Sequence, residues 1–332
     1  MSTSQNTPNR GPKARPTYPQ QWSAYNAAQV HEKDHVADLL HSICETIPSP
    51  EQLRGRPRVP LGEAIFAAVM KVYGTTSGRR NATEVRDLEA KGYLSRPWHF
   101  SSIFKTLENP KLTPILKHLI EESAQPLRDL ETDFAVDSSG FSSATYKRWF
   151  DHKYGREMSK GQWVKAHIMV GVKTNIVTSV EVTNARSNDS PHLPHLLGST
   201  GKGFNVKTVA ADKGYISHSN LEAIDAAGAF PLIPFKSHHN PAGAYWRKDR
   251  RNSPESRELW QRMHDFYMHN NAEFRKHYHK RSNVETTFAM IKAKFGSYVR
   301  SRTLTAQINE VLCKVLCHNL CCLVHASYEA AA

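Results

Sequence analysis

The sequence predicts an α/β fold with an all-helical region in front of it. Two short runs of β-branched and small apolar residues, 132–137 and 206–212, each end on an aspartate, Asp137 and Asp212. Residues 61–130 carry apolar positions at helical spacing, broken by Gly- and Pro-containing turns. Near the C-terminus Tyr278, Arg281, Glu285 and Lys292 recur at offsets of −7, −4, 0 and +7 from the glutamate. At roughly 100° per residue, those offsets gather all four on one side of a helix.

The N-terminal elements follow in order. Residues 1–22 hold Pro, Gln, Ser, Asn and three basic residues without an acid, the composition of a disordered basic arm. Val30, Leu39, Leu40, Ile43 and Ile47 mark an amphipathic helix closed by Pro48, and residues 54–60 read as a basic linker. Helices are then predicted over 61–73 up to Gly74, over 81–94, and over FSSIFKTLEN and LTPILKHLIEESAQPL. Residues 23–130 thus form a helical domain. Short helices with such turns build a helix-turn-helix DNA reader or a plain helical support or dimerisation domain.

Residues 131–328 form the second domain, interrupted at about 236–275 by a basic, mostly helical insertion. Aspartates at the C-terminal ends of adjacent strands converge at one sheet edge, where ligands bind in α/β folds. A lone strand-end Asp also starts turns, and Arg281 with Glu285 alone would make an ordinary i,i+4 surface pair. Three acids brought together repel one another unless a cation holds them. Magnesium is the hard, oxygen-seeking choice. Two such ions about 3.5–4 Å apart stabilise both the attacking and leaving oxygens at phosphorus. The residues therefore point to metal-dependent phosphodiester cleavage or transfer.

The motifs resemble the DDE transposases of bacterial and archaeal insertion sequences, in the branch whose third region reads Tyr-x2-Arg-x3-Glu-x6-Lys. Here that region is YHKRSNVETTFAMIK, Tyr278 to Lys292, after FAVDSSG and VAADKGY. WVKAHIMVGVKTNIVTSVEVT resembles the paired strands after the first aspartate, NARSNDSPHLPHLL the turn and helix beyond them, and LCHNLCCL the closing helix. The resemblance implies a ribonuclease H-like mixed sheet flanked by helices. It implies Asp137, Asp212 and Glu285 as catalytic ligands of two Mg2+ ions, with Mn2+ as a substitute. Tyr278, Arg281 and Lys292 would contact DNA; Trp246 or Trp260 could stack on an extruded base, although a tryptophan at helical spacing more often packs in a core. The implied partners are transposon ends and target DNA, gripped by a homodimer on paired ends. A domesticated or inactive DNA-binding derivative and a non-transposing ribonuclease H-like nuclease are the alternatives.

Composition narrows the classes further. The formal charge is +13, and residues 240–305 hold 14 Lys/Arg against 6 Asp/Glu, the surplus a polyanion partner requires. Five cysteines, four of them crowded into 313–322, do not resemble a disulfide framework and fit a reducing cytoplasm, with association to the nucleoid. Without CxxC spacing they read as small buried hydrophobes rather than zinc ligands. His264, His269, His277 and His279 read as solvated or DNA-facing. No apolar run suggests a membrane span, no secretory signal is evident, and no phosphate loop suggests a nucleotide.

Overall fold

The computed structural model of the chain describes residues 21–49, 51, 54–55, 59–143, 163–239 and 253–331. Residues 1–20 of the basic arm, parts of the linker, and Trp246 lie outside the described residues. Five helices come first: α1 (Trp22–Glu45), α2 (Leu61–Tyr73), α3 (Asn81–Ala90), α4 (Phe100–Glu108) and α5 (Leu112–Ala124). Strands β1 (Asp133–Ser142), β2 (Trp163–Gly171) and β3 (Val177–Asn184) follow. After α6 (Leu193–Thr200) come β4 (Thr208–Ala211), α7 (His218–Ala226) and β5 (Phe230–Leu232). The chain closes with α8 (Pro254–His269), α9 (Asn271–Tyr278), α10 (Ser282–Phe295) and α11 (Leu304–Ala330).

The sheet is mixed, in the order β3-β2-β1-β4-β5. β1 and β2, and β2 and β3, run antiparallel, whereas β4 lies parallel to β1 and β5 parallel to β4. This is the ribonuclease H-like sheet flanked by helices that the motifs imply. Alternation along the strands sorts side chains to two faces. Phe134, Val136, Val209 and Ala211 enter one core with Leu196, Tyr215 and Ile224. Ala135 and Phe141 enter the other with Ile65, Leu116, Val284 and Leu312. Asp137 and Ser139 share that second face by parity, and Asp212 shares the face of Ala210.

The N-terminal helices pack against α11 and the sheet. Val36, Phe66, Leu116, Ile168, Val284 and Leu316 belong to one contiguous core. Of the α1 stripe the sequence suggests, Leu40 is buried and Leu39, Ile43 and Ile47 pack against the core, whereas Val30 is 78% exposed; Ala24, Ala28, Glu32, Val36, Ala37 and Cys44 are buried as well. The small alanines let α1 lie close to α11, and buried Glu32 accepts from Tyr73 at 2.7 Å and from Lys294.

Among the described residues one helix, Leu304–Ala330, is long and apolar enough to cross a membrane by length and composition. Two thirds of its most apolar window is buried inside the protein. Its Asn319 shows how: the amide donates to Ile120 O, Ser123 Oγ and Val177 O at 2.8–3.2 Å and accepts from Val177 N. Residues of the His-Asn-Leu motif therefore weld α11 to α5 and β3. All five cysteines are free and buried.

Candidate active site

Asp137 does not end a strand, as its sequence suggests, but stands midway along the ten residues of β1. Ser138, Ser139 and Gly140 continue the extended chain because β2 pairs with them, Ser138 opposite His167 and Gly140 opposite Lys165. What does end here is the parallel pairing. The last aligned pair of β1 and β4 is Val136 with Ala211, so Asp137 and Asp212 are the next residues on both strands. Adjacent strands lie about 4.8 Å apart. Two carboxylates on one face therefore leave the sheet side by side.

The turn after β4 fixes Asp212. Its Oδ1 accepts from Gly214 N at 2.7 Å, and its carbonyl from Tyr215 N at 3.0 Å. A Cβ on residue 214 would stand 2.8 Å from that same oxygen, so the glycine lets the carboxylate fold over the turn. Tyr215, 1% exposed, anchors the turn in the core.

The third acid arrives on a helix that differs from expectation. Tyr278 ends α9, residues His279–Arg281 form a 3-10 turn, and Glu285 and Lys292 belong to α10. The four signature residues are therefore not on one continuous α-helix. Two contacts account for the tightening. Lys280 Nζ reaches Asp133 at 2.6 Å, at the start of β1, and Ser282 Oγ donates to His279 O at 3.0 Å. In a 3-10 turn the side chains at i and i+3 eclipse, and the Arg281 guanidinium accordingly lies 5.9 Å from the centre of the Tyr278 ring. Val284, Phe288, Ile291 and Phe295 bury one stripe of α10, and Gly296, at φ +83°, ends it. Glu285, beside that stripe, stays 56% exposed.

Arg281 joins the parts. Its Nη1 lies 3.3 Å from Asp137 Oδ2, while its Nη2 donates to Glu285 Oε1. Burial raises the Asp137 pKa; Ser138 N–H and Arg281 lower it, and the charges of Asp212 and Glu285 raise it again. The net direction is upward, with burial as its first cause and the neighbouring acids adding to it. Tyr278 is also raised, by burial foremost, with Asp212 and Glu285 acting in the same direction. Lys292 lies apart from this group: its Nζ donates to Ser139 Oγ at 2.6 Å, one strand pleat beyond Asp137, and sits 5.2 Å over Phe141.

The donors available to a metal are carboxylate oxygens, the set a hard divalent ion selects. The Arg281 guanidinium already sits as a cation between Asp137 and Glu285. The residues fit magnesium by type and by this stand-in charge. Among the described residues, however, no group of three or more His, Cys, Asp or Glu is arranged to hold an ion.

Other expectations resolve differently. Trp260 is 7% exposed and stacks on His218 with centroids 4.5 Å apart, a packing role rather than an open platform for a base. His264 is buried against Phe235 rather than solvated, and His277 bonds Glu273 at 2.8 Å. Reading the sequence missed Lys280, Asp133 and Ser139. Nothing in their local spacing signals contacts to residues far along the chain.

A family model described as "Transposase DDE domain" matches residues 128–320, more than half of the chain. The chain belongs to that family. No curated protein matches it. A solved structure titled "Cryo-EM structure of piggyBac transposase synaptic complex with hairpin DNA (SNHP)" is similar at 9% identity and TM-score 0.40. That alignment covers 90% of this chain and 73% of the other.

Proposed function

We propose that this chain is the transposase of an insertion sequence, of the branch with the Tyr-x2-Arg-x3-Glu-x6-Lys signature. It would cut DNA at the ends of its element and join the freed ends to target DNA. The observation that carries this is the register of β1 and β4, which sets Asp137 beside Asp212, with Glu285 linked to Asp137 through Arg281. A pair of magnesium ions held by Asp137, Asp212 and Glu285, with manganese as a substitute, would supply charge stabilisation for the attacking and leaving oxygens. Arg281 would exchange its carboxylates for a backbone phosphate, a bidentate partner, and so free Glu285. Tyr278 would orient that guanidinium, and Lys292 would meet a phosphate further along β1. A homodimer would hold the paired ends, drawing on the basic surplus of 240–305.

The position of Arg281 favours one second reading, a DNA-binding derivative whose acids stay neutralised by their own arginine. Incubation with DNA bearing the element's inverted repeats, in magnesium, separates the two. The transposase reading requires strand nicks that Asp137→Ala, Asp212→Ala and Glu285→Ala each abolish while end binding persists. Nicking by the Glu285→Ala variant at the parental rate would overturn the site assignment.

A further inference from the structure

We infer that a cleft between α2, α4 and the segment before α11 is a second anion site, shaped for a backbone phosphate of DNA. It rests on the proposed DNA-acting role and places a contact outside the carboxylate cluster. The cleft encloses about 540 Å³, and Lys71, Ser77, Phe104, Glu108, Arg300 and Arg302 are among its lining residues. A volume of that size accommodates one nucleotide unit.

Lys71 is the unusual member. It is 4% exposed as a residue, and its ammonium, on the lining of the cleft, makes no hydrogen bond or ion pair among the described residues; the Phe104 ring lies 5.9 Å away, and Glu310 and Lys314 line the adjoining recess with it. Lysines are rarely buried unless paired, because an unpaired buried charge is costly. The buried acid nearby in the fold is already engaged. Glu310, which lines the adjoining recess with Lys71, accepts from Arg300 N at 2.9 and 3.0 Å and from Ser301 N at 2.8 Å. An external anion would complete Lys71.

The rim is built to receive it. Glu310 and the Gln307 amide, which donates to Ser301 O and Arg302 O at 3.2 Å, fix the backbone that carries both arginines. Arg300 spends one Nη2 contact on Tyr298 OH at 3.0 Å, and a guanidinium has five N–H donors. Three cations face one carboxylate, Glu108, and Phe104 offers an apolar wall for the sugar or base beside the phosphate.

Placement relative to the acids favours DNA over a small anion. Val299 N donates to Ser142 O at 2.8 Å and Ser142 N to Ser297 O at 3.3 Å, so residues 297–299 extend the end of β1. From Asp137 to Ser142 the strand runs roughly 17 Å, about five nucleotide steps at 3.4 Å each. Lys292, on Ser139, lies between. A DNA strand lying along β1 would pass from the acids over Lys292 to Arg300.

The test is fluorescence anisotropy of a labelled mixed-sequence duplex titrated with the full chain across a KCl series. For Arg300→Gln with Arg302→Gln, the slope of log affinity against log salt should flatten by about two units, since each phosphate contact contributes about 0.9. Lys71→Met should flatten it by about one. Wild-type binding with unchanged slopes in both variants overturns the cleft while sparing the proposed function. Absence of any salt-dependent DNA binding by the wild type would remove the proposed function itself.

Discussion

Arg281 Nη1 stands 3.3 Å from Asp137 Oδ2, a contact between a 3-10 turn and the middle of a strand 144 residues earlier. Because the same guanidinium also holds Glu285, it acts as the hinge between the sheet-borne and helix-borne acids. The predictions below follow from that arrangement.

Arg281→Ala leaves Asp137 and Glu285 facing each other without their shared cation. Removing one partner of a partly buried pair costs about 1–3 kcal/mol, because the survivor stays desolvated. The melting temperature should fall in metal-free buffer and recover in part with magnesium. On DNA, the salt slope should flatten by about one unit. An unchanged melting curve in metal-free buffer would show that the guanidinium carries no structural charge.

The raised pKa of Asp137 has a definite sign for stability. A carboxyl whose folded pKa exceeds its unfolded value binds protons better when folded, so stability falls as pH rises from the unfolded pKa through the folded one. At neutral pH the penalty is fully present. Asp137→Asn should therefore raise the melting temperature at pH 7 and abolish cleavage, with a gain of about 2–4 °C for each kcal/mol recovered. The gain should vanish at pH 3. An equal gain at both pH values would contradict the assignment.

His318 and His167 make the opposite acid prediction. Burial lowers both from 6.5 to about 4, and His318 Nε2 donates to Asn175 O at 2.8 Å. The unfolded chain takes up protons that the folded chain refuses, so stability is retained above pH 6.5 and lost as pH falls toward 4. The loss should be on the order of 3 kcal/mol for each histidine. His318→Gln should flatten that limb of a pH–stability profile; an unaltered limb would assign the loss to other groups.

Gly214→Ala probes the turn that aims Asp212. Its Cβ would stand 2.8 Å from Asp212 Oδ1, so the carboxylate must swing away. Cleavage should drop at least about tenfold for a misplacement of this kind, while stability changes by less than about 1 kcal/mol. Parental cleavage by the alanine variant would show that the Asp212 rotamer does not matter.

Much of this was legible in the sequence, and the limits have physical causes. Short runs of β-branched and small apolar residues located β1 and β4, and helical spacing located α2, α5 and α10, because burial writes itself into local pattern. Asp137 was read as a strand end because Ser-Ser-Gly is turn-like chemistry; pairing with Ala166 and Lys165 on β2 overrides it. The 3-10 break before α10 was hidden because its cause, the Lys280–Asp133 pair, joins residues 147 apart. Only the N-terminal half of the α1 stripe is hidden in the sequence, because Ala24, Ala28 and Glu32, rather than Val30, are buried there. Arg281 as a clasp on both carboxylates is likewise a tertiary fact that no spacing contains.

The most direct test of the central claim counts bound divalent ions by electron paramagnetic resonance of Mn2+ in the chain assembled on DNA carrying the element's ends. The account predicts two ions per chain, magnetically coupled at the short separation a two-metal site requires, and loss of that coupling in Asp137→Ala. A complex that binds the ends tightly yet holds no manganese above the Asp137→Ala background would contradict it.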